Sequence, residues 1–333
     1  MSAIRIVATG GAGIEALRIE DCPVPDARPG EAVVRFRAAS LNYRDLIGVR
    51  GALKGMTKEP DYVPLSCGVG EVIALGAGVT RLAVGDRVAP IFAQGWIDGG
   101  KENMGRSHLG GAVDGVARTY GAFDAENLAL IPDAIGDMEA ATLPCAGITA
   151  WSAVTLARTV RPGDLVLVQG TGGVSMAALQ FAKAAGAQVV VTSSSNAKLA
   201  RAAALGADYL VNYRETPDWA AQATTLAGRG AELLVDVVGT GSLAESASAL
   251  APGGAIAAIG MLDGAFSWGA DIGVSVVPVT VGSRTAMEAM LRAVAINHIR
   301  PVVDRVWPLD RLAAALTALE AGAFFGKIGI TID

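Results

Sequence analysis

The residues with the clearest chemical meaning form a glycine turn between an apolar run and a helical pattern. The run Leu165–Gln169 leads into Gly170, Thr171, Gly172, Gly173 and Val174, and a helix is predicted over Met176–Ala185. The first glycine permits a tight bend and the second lets the main chain approach a pyrophosphate, which the following helix N-terminus attracts through unpaired N–H groups. The third fingerprint position is Ser175, small enough for close packing. Glycine pairs also occur in plain turns, but the flanking strand and helix favour a dinucleotide site.

A second group of candidate cofactor residues lies about 20 residues further on, where NAD-binding sites place an acid that holds the ribose hydroxyls. The segment 192–198 contains no carboxylate. It offers the side chains of Ser193, Ser194, Ser195 and Lys198 instead. These groups suit the extra charge of a 2′-phosphate, so the segment predicts NADP(H) rather than NAD(H). Tyr213 and Arg214, after the third strand, are expected to close the same pocket. Alternatively, the serines only cap the helix that begins near Asn196.

The hydrophobic pattern of the elements that must position these residues changes near residues 140–150 and again near 282. The first segment has short alternating apolar runs between turn signals, which predicts an antiparallel β-rich domain. The middle segment alternates apolar strands with helical patterns, which predicts a doubly wound parallel sheet and an α/β fold. Two helical patterns and a short strand after residue 282 are expected to return to the first domain. The predicted division is 1–144, 145–281 and 282–333.

Composition excludes several classes of protein. The chain has 333 residues, 27 basic and 32 acidic, for a net charge of −5, so a nucleic-acid partner is not expected. The longest uncharged stretches, 165–182 and 246–262, are interrupted by glycine or proline, so we expect no membrane partner. The first residues do not resemble a secretion signal, and three widely spaced cysteines disfavour a disulfide framework. We expect a reduced, cytoplasmic protein with a small-molecule substrate.

Several motifs together resemble the medium-chain dehydrogenase/reductase superfamily, and within it the zinc-free branch of quinone oxidoreductase-like and alcohol dehydrogenase-like proteins. They are Ala39–Asp45, Val84–Val88, Leu143–Trp151, Arg161–Asp164 and Phe325–Lys327. The resemblance covers nearly the whole chain. It implies a GroES-like catalytic domain built from both chain ends, a Rossmann domain between them, and a cleft in which a nicotinamide meets its substrate.

The resemblance also assigns further residues. Thr149 and Lys327 match positions that contact the dinucleotide in relatives, and a homodimer is implied through the strand expected over 272–281. Because ligands bind at the carboxyl ends of parallel strands, four further residues become candidates. They are Val238, Gly239, Ile259 and Gly260. Arg284, in the turn near the second boundary, is expected to meet a phosphate.

Zinc is where the sequence departs from the better-known members of the superfamily. The positions that resemble the catalytic zinc ligands of those relatives are occupied here by Asn42, Ser66 and Cys145, of which only the cysteine is a usual ligand. Residues 92–112 contain none of the four cysteines that a structural zinc lobe requires. The two histidines, His108 and His298, are expected in surface or loop positions. We therefore predict no metal site.

Without zinc, side chains must stabilise the negative charge that develops on oxygen when a hydride adds to a carbonyl or an enone. The candidate catalytic cluster is Asn42, Tyr43, Arg44 and Asp45. Asn42 and Tyr43 are predicted to polarise the substrate, Arg44 to lie near the cofactor ribose or substrate oxygen, and Asp45 to orient its neighbours. Alternatively, Asn42 shapes a turn, Asp45 caps the following helix and Tyr43 lies in the core.

Three functions remain open at this point. The first is a zinc-independent, NADPH-dependent reductase of an activated double bond, a quinone or a reactive carbonyl, because reduction of a polarised acceptor needs no zinc to remove a substrate proton. The second is a zinc-free alcohol or aldehyde dehydrogenase that uses Tyr43 or a water relay as base. The third is a protein that binds NADPH without turnover.

Overall fold

The computed structural model describes residues 3–53, 55–260 and 273–333. The strands are β1 Ala3–Thr9, β2 Arg18–Cys22, β3 Glu31–Ser40, β4 Asp61–Tyr62, β5 Cys67–Leu75, β6 Arg87–Pro90, β7 Tyr120–Asp124, β8 Leu128–Leu130, β9 Leu165–Gln169, β10 Gln188–Ser193, β11 Tyr209–Asn212, β12 Ala231–Asp236, β13 Leu250–Ala258, β14 Ser275–Pro278, β15 Val303–Pro308 and β16 Lys327–Thr331. The α-helices are α1 Tyr43–Val49, α2 Asp137–Ala140, α3 Ile148–Ser152, α4 Gly173–Ala184, α5 Asn196–Ala204, α6 Trp219–Ala227, α7 Leu243–Ser248, α8 Arg284–Ile296 and α9 Leu312–Glu320.

The chain divides into two compact units. Unit 1 comprises Met1–Ile148 and Val281–Asp333, and unit 2 comprises Thr149–Thr280. The divisions lie at 148/149 and 280/281, against 144/145 and 281/282 in the sequence-based prediction. One consequence matters for the site: Cys145 belongs to unit 1 and not to the central domain.

Unit 1 is β-rich. A three-stranded sheet has the order β2-β1-β4, and a larger sheet has the order β15-β16-β3-β5-β6-β8, with β7 paired to β3. Most neighbours are antiparallel, and β15 with β16 is the parallel exception in the larger sheet. Along β3, buried Val34, Phe36 and Ala38 alternate with exposed Arg35 and Arg37, because successive strand residues face opposite sides. The apolar face packs into the core of this unit.

The register of the larger sheet creates the candidate site. Ser40, the last residue of β3, pairs with Cys67 at the start of β5 and with Gly329 near the start of β16. The chain then leaves β3 at Leu41 and enters α1. Three segments that are distant in sequence therefore meet where β3 ends, and Asn42, Cys67 and Lys327 come together.

Unit 2 is a doubly wound parallel sheet of six strands in the order β11-β10-β9-β12-β13-β14, with each neighbouring pair parallel. The central strand β9 is buried along its whole length, as its unbroken apolar sequence predicts. The core beneath the sheet includes Leu167, Val190 and Leu234. The predicted α/β class, a β-rich domain together with a Rossmann-type sheet domain, is confirmed.

The elements of unit 2 follow the sequence pattern closely at the strands and less closely at the helix starts. The helix after the glycine turn, expected from Met176, begins at Gly173. The strand expected over 272–281 starts at Ile272, which lies outside the described residues, and β14 covers Ser275–Pro278 at one edge of the described sheet. No helix in the described part of the chain is long and apolar enough to cross a bilayer.

Candidate functional site

The first group of candidate residues surrounds the N-terminus of α1, where Asn42 is the N-cap residue. The carboxylate of Asp45 accepts a hydrogen bond from the backbone N–H of Asn42 at 2.8 Å. This contact satisfies one of the N–H groups near the start of the helix. Asp45 therefore caps α1, as the second interpretation of this cluster in the sequence analysis predicts. The Asn42 side chain does not cap the helix, because its oxygen and its nitrogen bind other partners.

One of those partners is the ammonium group of Lys327. This lysine is buried and is the first residue of β16. Its Nζ donates hydrogen bonds to Asn42 Oδ1 at 2.6 Å and to the carbonyl oxygen of Leu41. An ammonium group carries three donors. Within the described residues, the third Nζ donor of Lys327 has no protein acceptor. The lysine thus fixes the orientation of the Asn42 amide and keeps one N–H for another acceptor.

The amide nitrogen of Asn42 faces two residues that precede and begin β5. Nδ2 lies 3.2 Å from Ser66 Oγ and 3.1 Å from Cys67 Sγ. Cys67 also accepts a hydrogen bond from the thiol of Cys145. Burial opposes ionisation of Cys67, but the hydrogen bond from Cys145, the charge of Lys327 and the Asn42 amide together lower the pKa of Cys67 to about 7. The hydrogen bond to Cys67, with burial, raises the pKa of Cys145.

Asp45 completes this cluster beneath the amide. Its side chain is fully buried, and Oδ1 lies 3.5 Å from Ser66 Oγ and 3.7 Å from Arg44 Nη1. Burial raises the pKa of Asp45 above its usual value, against the lowering effects of Arg44, the Asn42 backbone N–H and Lys327. The carboxyl group orients Asn42, Arg44 and Ser66, which agrees with the positioning role predicted for it.

Arg44 is held in a stack of side chains that the sequence did not reveal. Its guanidinium lies 4.6 Å from the centroid of the Phe92 ring and donates to the carbonyl oxygen of Leu109 at 2.9 Å. The Phe92 ring in turn stacks on His108, with centroids 5.1 Å apart. His108 lies in a loop, one of its two expected positions, and is half-buried there, and burial with the nearby Arg44 lowers its pKa. Tyr43, 44% exposed, is not a core residue.

The residues at the positions of the relatives' zinc ligands do not fit a zinc ion. Asn42 is engaged by Lys327 on one side and Cys67 on the other, and Ser66 contributes a hydroxyl. Structural and catalytic zinc sites use thiolate, imidazole and carboxylate ligands in sets of three or four. In residues 3–53, 55–260 and 273–333, no three His, Cys, Asp or Glu side chains converge in this way.

Unit 2 contains the glycine turn. Gly170 has φ +72°, a conformation that favours glycine, and its N–H donates to the carbonyl oxygen of Thr192 at 2.8 Å. Gly172 is the N-cap of α4 and has no side chain to satisfy the first N–H groups of the helix. A Cβ atom at Gly172 would meet no heavy atom within 4 Å. The open space before these N–H groups fits a pyrophosphate. Ser175 binds the carbonyl of Gln169 at 2.7 Å and closes the turn.

The carboxyl ends of β12 and β13 are joined by Asp236, which is fully buried. Its Oδ1 accepts hydrogen bonds from the N–H groups of Val238 at 2.7 Å and Gly239 at 3.1 Å. Its backbone oxygen accepts from Ile259 at 2.9 Å and Gly260 at 3.0 Å. The four predicted residues after these strands therefore share one anchor at the ligand-binding edge of the sheet. Thr149 is buried at the start of unit 2, in α3.

The residues predicted to bind a 2′-phosphate lie at the end of β10 and at the start of α5. Ser193 is the last residue of the strand, and its Oγ accepts from the N–H of Ser195 at 3.3 Å. Ser195 is the N-cap of α5 and accepts from the N–H of Lys198 at 3.4 Å. The N–H of Tyr213 donates to the carbonyl oxygen of Ser193, so Tyr213 follows at the same edge. The structure thus combines a helix cap with hydroxyl and lysine groups in one place.

A carboxylate absent from segment 192–198 is supplied from further along the chain. Glu215 Oε1 accepts hydrogen bonds from Asn196 Nδ2 at 2.6 Å and Asn212 Nδ2 at 3.1 Å. These residues line a cavity of about 330 Å³ beside α5 and β11. The sequence analysis missed Glu215 because it follows the third strand rather than the second. Asp236 was missed as well, although a charged residue that ends an apolar strand was a usable signal.

Arg284, predicted to meet a phosphate, is the first residue of α8 and lies among carboxylates. Its guanidinium lies 2.6 Å from Glu126 Oε2 and 3.6 Å from Glu288 Oε1, all within unit 1. The residue before it, Ser283, caps α8. Two carboxylates balance the charge of Arg284 within unit 1, and its contact with a phosphate stays a prediction.

Comparisons with known proteins agree with this architecture. Residues 28–133 match the family model described as alcohol dehydrogenase GroES-like domain, and residues 173–306 match the model described as zinc-binding dehydrogenase. A zinc-type alcohol dehydrogenase-like protein of Schizosaccharomyces pombe is 38% identical over 335 residues, which cover 96% of each chain.

Two solved structures extend the comparison. A crystal structure of an NAD-dependent alcohol dehydrogenase is 35% identical, with a TM-score of 0.88 over 99% of this chain and 100% of that one. A quinone oxidoreductase of Pseudomonas syringae is 27% identical, with a TM-score of 0.82 over 99% of each chain. The chain belongs to the medium-chain dehydrogenase/reductase superfamily. It is an oxidoreductase of that superfamily, whose members use a nicotinamide cofactor.

The geometry of the glycine turn leads to a prediction for Gly172→Ala. Because an added methyl group meets only open space, we expect the melting temperature to remain unchanged while nicotinamide cofactor affinity falls about tenfold or more, since the methyl group occupies the pyrophosphate position. Differential scanning fluorimetry and fluorescence titration measure the two effects.

Gly260→Ala is the matched comparison for that variant. A Cβ there would lie 2.3 Å from Gly239 N and 2.5 Å from Val238 C. It should therefore destabilise unit 2 by about 1–3 kcal/mol. Cofactor affinity that is unchanged in Gly172→Ala would show that the pyrophosphate does not bind at this turn.

Proposed function

We propose that this chain is a zinc-independent, NADP(H)-dependent reductase that acts on an activated double bond, a quinone or a reactive carbonyl. The observation that carries the proposal is the buried ammonium group of Lys327, whose third N–H donor has no protein acceptor in the described residues. A positive charge in a site of low dielectric stabilises a developing oxyanion more strongly than the same charge in water. This group can take the electrostatic role that zinc has in other members of the superfamily.

Each residue around Lys327 has a part in this chemistry. Asn42 accepts one N–H of the ammonium group and thereby directs the remaining donor, while Asp45 holds Asn42 at the backbone. Bound NADPH supplies the hydride. Tyr43, exposed at the first turn of α1, offers a phenol as proton donor to the reduced oxygen or carbon. Arg44 is placed by Phe92 and Leu109 and contributes further positive charge.

The preference for NADP(H) rests on the groups at the end of β10 and β11. Ser193, Ser195 and Lys198 lie within one strand end and the first turn of α5, and Tyr213 is tied to Ser193 by a backbone hydrogen bond. Hydroxyl and ammonium donors are suited to a phosphate. Glu215 supports the opposite preference, because a carboxylate can hold ribose hydroxyls and repels a 2′-phosphate. Its two amide partners both bind Oε1, so the carboxylate keeps its charge, and the preference for NADP(H) depends on the serines and Lys198 outweighing it.

The decisive experiment is a fluorescence titration of the protein with NADPH and NADH side by side, for which the five tryptophans provide the signal. We expect NADPH to bind at least about tenfold more tightly, a difference of about 1.4 kcal/mol. Lys198→Ala should remove most of this preference by weakening NADPH binding alone, because only NADPH carries the 2′-phosphate. Lys101→Ala, at an exposed lysine of unit 1, is the control and should leave both affinities unchanged.

The same titration, followed by an acceptor panel, separates the remaining functions. A preference for NADH would show that the serines only cap α5, and would favour the zinc-free alcohol dehydrogenase, in line with the name of the NAD-dependent relative. Tight NADPH binding without oxidation by any quinone, enone or aldehyde would favour a protein that binds the cofactor without turnover. Rapid oxidation of NADPH by one of these acceptors, unaffected by a chelator, supports the proposal.

The homodimer and the cytoplasmic location remain part of this proposal. β14 lies at an edge of the described sheet, where a second copy can extend it through backbone hydrogen bonds. Sedimentation of the purified protein measures the assembly.

A further inference from the structure

Arg44 leaves most of its hydrogen-bonding capacity unused. A guanidinium group carries five N–H donors. In residues 3–53, 55–260 and 273–333, one Arg44 donor makes a hydrogen bond, from Nη1 to the carbonyl oxygen of Leu109 at 2.9 Å. The carboxylate of Asp45 lies 3.7 Å from Nη1, which is beyond hydrogen-bond distance. The Arg44 side chain is 15% exposed, so solvent reaches a group that protein otherwise encloses.

The free donors of Arg44 are held in a defined orientation. The Phe92 ring packs against the guanidinium, with 4.6 Å between Arg44 Cζ and the ring centroid, and the His108 ring stacks on Phe92. Phe92 is buried, so the stack is anchored in the protein. A planar guanidinium that is held by its face presents its edge. That edge matches a carboxylate, which it binds through two parallel N–H···O bonds.

Gly111 leaves this edge uncovered. A Cβ atom at Gly111 would lie 3.1 Å from Arg44 Nη2 and 3.1 Å from the carbonyl oxygen of Met56. Any other residue would therefore place a side chain against Nη2, a nitrogen for which the described part of the chain supplies no acceptor. Glycine at this position keeps the space beside Nη2 free of a side chain.

Asp45 does not neutralise Arg44 by itself. Its carboxylate accepts a hydrogen bond from the backbone N–H of Asn42 at 2.8 Å, and the charges of both Arg44 and Lys327 act on it. One carboxylate is therefore divided between two cationic side chains. A partly desolvated cation that is incompletely paired gains more from a bound anion than an exposed cation does.

We propose that Arg44 binds a carboxylate group of the substrate, so that the preferred acceptor is an organic acid. Such an acceptor is an aldehyde, ketone or enone that carries a carboxylate in addition to the group that is reduced. Arg44 is the second residue of α1, and the N-cap residue Asn42 contacts Lys327, so both cations belong to one cluster. Lys327 then meets the reacting oxygen and Arg44 the carboxylate. This inference rests on the proposed function, because it names the substrate class of that reductase.

The experiment compares two acids with their methyl esters as acceptors of hydride from NADPH. The acids are para-formylbenzoate and trans-β-acetylacrylate, and each ester has the same reducible group without the charge. In a pair that is reduced, we expect kcat/KM for the acid to exceed that for the ester by about tenfold or more. Arg44→Gln should lower this acid-to-ester ratio by about tenfold or more, because an amide has neither the charge nor the fork of donors.

Arg50→Gln is the matched control. Arg50 is the C-cap residue of the same helix, and its guanidinium pairs with Glu320 at 2.6 Å on the surface. This variant should leave the acid-to-ester ratio unchanged. Gly111→Ala is a second test that retains Arg44. Its methyl group crowds Nη2, so the ratio should fall by about threefold or more even if Arg44→Gln folds poorly.

Binding without turnover provides an independent readout. Isothermal titration calorimetry measures the affinity of the protein for benzoate and for benzamide, its uncharged analogue. We expect benzoate to bind more tightly than benzamide. Arg44→Gln should weaken benzoate binding by about tenfold or more, whereas Arg50→Gln should not change it.

The possible results separate this inference from the proposed function. Equal kcat/KM for acids and esters, or a ratio that Arg44→Gln does not change, would overturn the carboxylate site and leave the reductase standing. Benzoate binding that depends on Arg44, without reduction of any acceptor, would contradict the reductase and leave the carboxylate site standing. A loss of NADPH affinity in Arg44→Gln with an unchanged ratio would assign Arg44 to the cofactor and overturn the inference.

Discussion

Replacing Lys327 with methionine is expected to lower kcat/KM for the best acceptor by about 100-fold or more, because the variant loses the donor that meets the developing negative charge. Methionine fills a similar volume without the ammonium group. The free energy of unfolding should also fall, by about 1–3 kcal/mol, since Asn42 Oδ1 and the carbonyl oxygen of Leu41 lose their buried donor. Steady-state kinetics and chemical denaturation measure these two quantities separately.

The same variant has a readout that does not depend on activity. Lys327 is one of the groups that lower the pKa of Cys67 to about 7. Without this positive charge the thiolate is less stable, so the pKa of Cys67 should rise by about one pH unit or more. The ultraviolet absorbance of the thiolate, followed against pH with Cys67→Ala as the blank, measures this shift.

Lys327→Arg is the control for charge. It retains the positive charge but replaces a compact ammonium group by a planar guanidinium, so it should keep a lower pKa at Cys67 while losing most of the activity. Lys327→Met could instead keep full activity while the pKa of Cys67 rises as expected. That result would show that the lysine lowers the pKa of Cys67 but takes no part in reduction.

The second large effect is expected for Asn42→Ala. The variant removes the amide that fixes Lys327 and the donor to Cys67, so kcat/KM should fall by about 10- to 100-fold. It should also lower the free energy of unfolding by about 1–3 kcal/mol, because a buried ammonium group loses one acceptor. Kinetics of NADPH oxidation and urea denaturation provide both values.

Asn127→Ala is the matched control for that experiment. Asn127 is also a buried asparagine of unit 1, and its Oδ1 accepts from the N–H of Gly95 at 2.6 Å. Its loss should reduce stability to a similar degree and leave kcat/KM unchanged. If both variants lose activity in proportion to their stability, Asn42 has only a structural role at the start of α1.

Much of unit 2 could be predicted from local sequence. The fully apolar strand Leu165–Gln169, the glycine turn and the helix after it form one contiguous segment, and their conformations depend mainly on neighbours along the chain. Parallel pairing then places the ends of the strands at one edge, so residues that follow them were identifiable as candidates without coordinates. Ser193 at the end of β10 illustrates this.

The contacts of the site in unit 1 were decided by tertiary structure. The sequence indicated the types of Asn42, Cys67, Cys145 and Lys327, but not that their side chains meet. Antiparallel pairing of β3 with both β5 and β16 brings Asn42 into hydrogen-bond contact with Lys327, which lies 285 residues further along the chain. The same holds for Arg284, whose ion pair with Glu126, 158 residues away, only folding reveals. Local patterns determine which elements form and which residue types end them, whereas sheet register determines which charges and thiols face one another.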